Sequence, residues 1–181
     1  FLEQGAAYDQ LTFNGGGTLF RGSTYTADGL VVLRTLRVAT YRCPSSTHAM
    51  ASTSDGNTEG GMKIDYVGIA GATPSPGGSG GCGSSTRYGS NTYCDNGLLA
   101  YNTKTKMRDI TDGTSNTIIV AEQSGLVNNT DIRANYYGGW HGTPFLAKPS
   151  AVSGSDDYWG SGTTTLKHAI NSSWASGAPD S

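Results

Sequence analysis

Residues 108–122 read R-D-I-T-D-G-T-S-N-T-I-I-V-A-E, and this stretch constrains the fold more than any other. Asp112-Gly113 is a turn signal, and Thr114, Ser115, Asn116 and Thr117 each carry a side chain able to hydrogen-bond its own backbone. Ile118-Ile119-Val120-Ala121 follows, an apolar and largely β-branched run of the length expected for a buried, central strand. Glu122 closes it. Asp109, Asp112, Gly113, Asn116 and Glu122 are therefore expected to act as a structural motif. Asp109 is the expected cap, accepting from backbone donors around Asp112. Glu122 at a buried strand end calls for water, an arginine or a hydrogen bond tying neighbouring loops.

The rest of the composition favours strands joined by loops. Of 181 residues only 14% are charged, while 27 are Gly, 20 Ser and 22 Thr. Long solvated helices need more Glu, Lys, Arg and Ala than this. A net charge of −2 with 10 Tyr and 3 Trp argues against disorder. The length predicts a single domain over 1–181. No basic patch accompanies the 12 Lys and Arg, so no nucleic-acid partner is expected. No apolar run of about 18 residues is present to span a membrane.

Along the chain, 1–11 reads as the end of a helix, although Gly5 weakens it. Leu30 to Tyr41 fits a strand or a short helix, ended by Pro44. Residues 45–61 read as loop, and Ile64 to Ala70 as a strand. The segment 72–96, rich in Gly, Ser, Pro and Asn, reads as a long loop of functional or mobile type. Leu98 to Tyr101 reads as a short strand and Lys104 to Ile110 as a helical turn. Tyr136, Tyr137, Trp140, Tyr158, Trp159 and Trp174 lack helix or strand spacing and read as loop anchors.

Three cysteines are present. Cys82 and Cys94 flank the Gly/Ser-rich segment and are placed to close it as a disulfide, a loop short enough to contribute roughly 3 kcal/mol. Cys43 is left over, free or paired with a residue outside this sequence. A loop disulfide in a polar, Lys-poor chain fits an oxidising, extracytoplasmic compartment. Asn128-Asn129-Thr130 and Asn171-Ser172-Ser173 are glycosylation sequons with meaning only where that machinery exists.

Several motifs carry little chemistry. Gly77 to Gly81 matches the nucleophile-elbow pattern, and Gly78, Gly80 and Gly83 match a dinucleotide fingerprint. Both fall inside a Gly/Ser run without the required strand and helix. His48, His141 and His168 lack the compact spacing of a zinc site. Oxygen-rich clusters are a better case: Asp109 with Asp112, Asp55-Gly56-Asn57, Asp95-Asn96-Gly97 and Asp156-Asp157 all fall in expected loops, and Asp109, Asp112, Asp156 and Asp157 are the calcium candidates, as loop carboxylates supply that ion's oxygens. The plainer account of the same residues is Asx-turns and caps, and no cofactor is required.

Five segments in order carry a family resemblance: F-L-E-Q-G-A-A-Y-D-Q-L (1–11), Y-R-C-P-S-S (41–46), D-Y-V-G-I-A-G (65–71), G-L-L-A-Y-N (97–102) and D-I-T-D-G-T-S-N-T-I-I-V-A-E (109–122). Together they resemble the bacterial prepilin-type family, similar to type II secretion pseudopilins, whose globular domain is functionally uncharacterised. The resemblance implies an α+β pilin-like domain with an antiparallel sheet and long Gly/Ser-rich loops. It also implies an N-terminal leader, a long hydrophobic helix packed in a membrane or filament core, and a C-terminal His-to-Asp-Gly element. Neither the hydrophobic helix nor that C-terminal element occurs within these residues, so the sequence reads as an internal piece, with membrane contact only through the absent helix. The implied role is structural and non-enzymatic: self-assembly, with itself and other pilin-like subunits, into an extracellular, cell-surface or periplasmic filament or pseudopilus. Two rival readings are a surface module binding glycans or other ligands through Trp140, Trp159 and Trp174, and a secreted hydrolase with a His beside a nucleophile.

Overall fold

The computed structural model describes residues 3–10, 32, 35–47, 49–51, 62–75, 81–85, 91–100, 103–123, 126–127, 130–131, 151, 153 and 162–167. They form an α+β arrangement organised around one strand, β1 (Tyr66–Ala72), with the sequence Y-V-G-I-A-G-A. Its five inner residues are all buried, as expected of a strand covered on both faces and not alternately exposed. One side of β1 pairs antiparallel with β4 (Val120–Glu122) and the other pairs parallel with β7 (Thr163–Leu166). The sheet is therefore mixed: the antiparallel β1–β4 pairing is of the kind the resemblance implies, and the parallel β1–β7 pairing stands beside it. A helix α1 (Gly5–Tyr8) precedes it, and two hairpins accompany it: β2 (Cys82–Ser85) with β3 (Asn91–Cys94), and β5 (Leu126–Val127) with β6 (Thr130–Asp131).

The core lies beside the start of β1. Val38, Met62, Ile64 and Val67 form a buried cluster, with Leu36 and Tyr41 packed against it. The Val38 amide donates to the Met62 thioether at 3.2 Å, so even the sulfur is used. Gly68 lets other chain segments approach β1 closely. A Cβ on Gly68 would meet Leu99 Cδ1 at 3.0 Å and Thr163 Cγ2 at 3.2 Å. Between Ile69 and Gly71 the register against β7 shifts, leaving Ala70 as the extra residue of a bulge. Its carbonyl accepts instead from the Gly97 amide at 2.8 Å, while Ile69 O accepts from the Leu99 amide at 3.2 Å.

Several sequence expectations change or sharpen. The run Ile118 to Ala121 is neither central nor buried: the strand begins at Val120, sits at the edge of the three-stranded sheet among the described residues, and leaves Ile118, Ile119 and Val120 64%, 46% and 49% exposed. β-branched side chains set the extended backbone, but what lies over a strand sets its burial. Leu98 and Leu99 are bends, not strand, because their segment bonds to β1 through isolated amides of Gly97 and Leu99. The segment 72–96 contains the β2–β3 hairpin, so much of it is ordered pairing and not loop. Of the two readings for Leu30 to Tyr41, the helical one is closer: the Leu36 amide donates to Val32 O, and Ala39–Tyr41 is a 3-10 turn. The expected turn at Lys104 to Ile110 contracts to a 3-10 turn at Met107–Asp109, and the N-terminal helix end to the single turn of α1.

Candidate functional site

Asp65, at the mouth of β1, is where three chain segments meet. Its side chain is buried and, among the described residues, its carboxylate accepts from Arg42 Nη1 at 3.2 Å on Oδ1 and from the Cys43 amide at 2.9 Å on Oδ2. Its own amide donates to Tyr41 O at 2.9 Å, and its carbonyl accepts from the Gln123 amide at 2.9 Å. Arg42 reaches on to Ser46 Oγ at 3.4 Å, and Gln123 Nε2 donates to Ile64 O at 3.1 Å. A carboxylate withdrawn from water needs this degree of satisfaction, since an unpaired one would carry a large desolvation cost. The node joins the 41–46 segment, the head of β1 and the residue after β4.

The 108–122 segment builds its turn largely with side-chain amides and hydroxyls. Gly113 adopts φ +83°, a backbone conformation suited to glycine. Asn116 Nδ2 donates to Asp112 O at 2.9 Å, the Asn116 amide donates to Gly113 O at 3.0 Å, and Thr117 Oγ1 donates to the same carbonyl at 3.1 Å. Asp109 does cap, but in the opposite direction from that expected: its Oδ2 accepts from the Lys106 amide at 2.8 Å, three residues upstream. The first turn of the Met107–Asp109 element supplies the orphan amide, so the cap faces it and not Asp112. Arg108 Nε stands 3.7 Å from Asp109 Oδ1 on the surface, an exposed pair of small worth. Glu122 is exposed, opposite Tyr66 in the β1–β4 register.

Beside the node, Cys43 is half-buried and not in a disulfide, with its Sγ 3.1 Å from Ser45 Oγ. Side-chain hydrogen bonding with Cys43, then partial burial and the negative charge of Glu122 and Asp65 nearby, push the Tyr66 phenol above its ordinary pKa. Cys82 and Cys94 are disulfide-bonded and face each other directly across β2–β3. The buried Cys94 amide donates to Thr165 Oγ1 at 3.0 Å, fixing the hairpin to β7.

Asn96 is the residue the sequence concealed. Its side chain pairs with Ala72 like a short piece of strand: Oδ1 accepts from the Ala72 amide at 2.8 Å and Nδ2 donates to Ala72 O at 3.0 Å. Nδ2 also lies 3.1 Å from Ser75 Oγ. The Asp65–Arg42 pair was equally unforeseen as a pair. Its signal was present, since a carboxylate inside a run otherwise suited to burial demands a partner.

Among the described residues no three His, Cys, Asp or Glu side chains gather as metal ligands. Asp109 and Asp112 lie on the exposed turn, while Asp156 and Asp157 fall outside the described residues, as do His48, His141, His168, Trp140, Trp159 and Trp174. Among the described residues no helix is long and apolar enough to cross a membrane. No curated protein and no solved structure matches the chain significantly. The family model described as "Protein of unknown function (DUF1559)" matches residues 1–181, and the chain belongs to that family.

Proposed function

We propose that this domain is a structural subunit of an extracellular pilus-like filament or secretion pseudopilus, acting by self-assembly with itself and other pilin-like subunits. The observation that carries this reading is how the segments of the pilin-like resemblance use their polar groups. Asp65, Asn116 and Thr117 bond backbone groups, Gln123 just past the last of these segments does the same, and Arg42 pairs with the Asp65 carboxylate. They build a frame that, among the described residues, leaves Ile118 and Ile119 just before β4, and Val120 at its start, exposed. Exposed apolar residues that run into a strand end of this kind favour contact with another chain. A net charge of −2 opposes close packing of copies only weakly. The disulfide fits an oxidising compartment, at the cell surface or in the periplasm. The reading needs no catalytic step and no cofactor, and it places membrane contact in the hydrophobic helix that the resemblance implies.

The test is electron cryomicroscopy of material sheared from cells expressing the native gene product. Helically repeating density into which this domain fits, with neighbouring copies touching at Ile118 to Val120, supports the proposal. A protein that stays monomeric at high concentration, with its intact native chain verified by mass spectrometry and no sheared filaments, overturns it.

A further inference from the structure

The chain contains two Asn-Gly dipeptides, Asn14-Gly15 and Asn96-Gly97. In this pair the glycine nitrogen meets no Cβ of its own as it approaches the preceding side chain, so the asparagine amide is chemically labile. Loss of the amide needs two freedoms. The side chain must turn its Cγ toward the glycine nitrogen, and that N–H must be released. At Asn96-Gly97 both are held. Asn96 Oδ1 and Nδ2 are engaged by the Ala72 amide and carbonyl at 2.8 and 3.0 Å, with Ser75 Oγ at 3.1 Å. The Gly97 amide donates to Ala70 O at 2.8 Å. Yet Asn96 itself is exposed, so water reaches it as soon as the hold loosens.

We propose that Asn96 is a conditional deamidation site, silent while β1 holds its side chain and reactive once that hold opens. This is independent of the assembly reading. In the open state the Gly97 nitrogen attacks Asn96 Cγ. A new C–N bond forms, the bond from Cγ to the side-chain nitrogen breaks, and that nitrogen leaves as ammonia with the proton from Gly97. Water then opens the resulting succinimide at either carbonyl, giving aspartate or isoaspartate. The balance is one water consumed and one ammonia released.

Neither product restores the hold. An aspartate at 96 has no donor for Ala72 O and sets a negative charge against that carbonyl. An isoaspartate adds a carbon to the backbone and moves Gly97 away from Ala70, where clearance is already small: a Cβ on Gly97 would stand 2.7 Å from Ala70 C and O. The chemistry therefore turns a reversible opening of the β1 edge into a permanent one.

The test incubates the purified, disulfide-intact chain at mildly alkaline pH, folded and in denaturing urea, and follows Asn96 by peptide mapping and isoaspartate detection. Because reaction is limited to the open fraction, deamidation in the folded chain is expected to be at least ~10-fold slower than in urea. Across sub-denaturing urea it should rise in step with hydrogen exchange of the Gly97 amide. Equal rates in folded and unfolded chain, or a rate that ignores Gly97 exchange, overturns the proposal.

Discussion

Arg42 Nη1 lies 3.2 Å from Asp65 Oδ1, with the two side chains only 11% and 3% exposed. The pair joins the stretch before β1 to the strand itself, and the Cys43 amide completes the carboxylate's second oxygen. Removing one partner of a buried pair strands the other without water. Arg42→Met and Asp65→Ala should each lower the unfolding free energy by about 3–5 kcal/mol in urea denaturation. A loss below about 1 kcal/mol in both would mean that the pair behaves as a solvated surface bridge.

Gly97 and Gly5 make a matched comparison. A methyl at Gly97 would fall 2.7 Å from the Ala70 backbone, which cannot rotate away, whereas one at Gly5 meets nothing within 4 Å. Gly97→Ala is expected to cost about 1–3 kcal/mol or more by overpacking. Gly5→Ala in α1 is expected to be neutral or stabilising by up to about 1 kcal/mol. Thermal melts of the two variants check the contrast.

The thiol count separates the cysteines. One group, Cys43, should react with a thiol reagent in the unfolded, unreduced chain, and three after reduction. Replacing Cys82 and Cys94 together by Ser should lower stability by about 2–4 kcal/mol, read as a fall in the denaturation midpoint.

Alkaline pH should weaken the domain through Tyr66. Its phenol is raised by the hydrogen bond to Cys43 first, then by partial burial and neighbouring negative charge. The folded state thus holds this proton more tightly than the unfolded chain. The associated stability is complete below the unfolded tyrosine value of about 10 and is lost as pH rises through the higher folded value. Ultraviolet titration should show a late-ionising tyrosine that disappears in Tyr66→Phe. Cys43→Ala should move it toward the ordinary value and flatten the loss of stability between roughly pH 9 and pH 11.

A lysine on the β4 edge should separate assembly from folding. Val120 is half-exposed on a strand whose pairing, among the described residues, is with β1 alone. Val120→Lys is expected to change stability by less than about 1 kcal/mol while reducing filament yield, since an edge lysine opposes strand addition. Unchanged filaments from a folded variant would remove β4 from the assembly interface.

How far the sequence disclosed this arrangement depends on whether the controlling interaction is local. The Asp112-Gly113 turn was legible because Asn116 and Thr117 bond carbonyls four residues away. The identity of β1 was legible because its residues are apolar throughout. The placement of Ile118 to Val120 was not, since a strand's burial depends on elements distant in the chain. Nor was the use of Asn96, whose partner Ala72 lies 24 residues away and offers only backbone. The direction of the Asp109 cap failed for a smaller reason: an Asp can serve donors on either side, and the position of the 3-10 turn decides which.

The parallel pairing of β1 with β7 bears on how the domain is made. Gly68 and Thr163 are neighbours in the sheet although most of the chain separates them. Closing so wide a loop forfeits considerable chain entropy before any ladder bond compensates it, which slows folding of such topologies. During synthesis or export from one end, β1 emerges long before β7 and must wait with that edge unpaired. The β2–β3 hairpin and its disulfide lie within reach early, and the Cys94–Thr165 contact then gives the late strand a prepared place to dock.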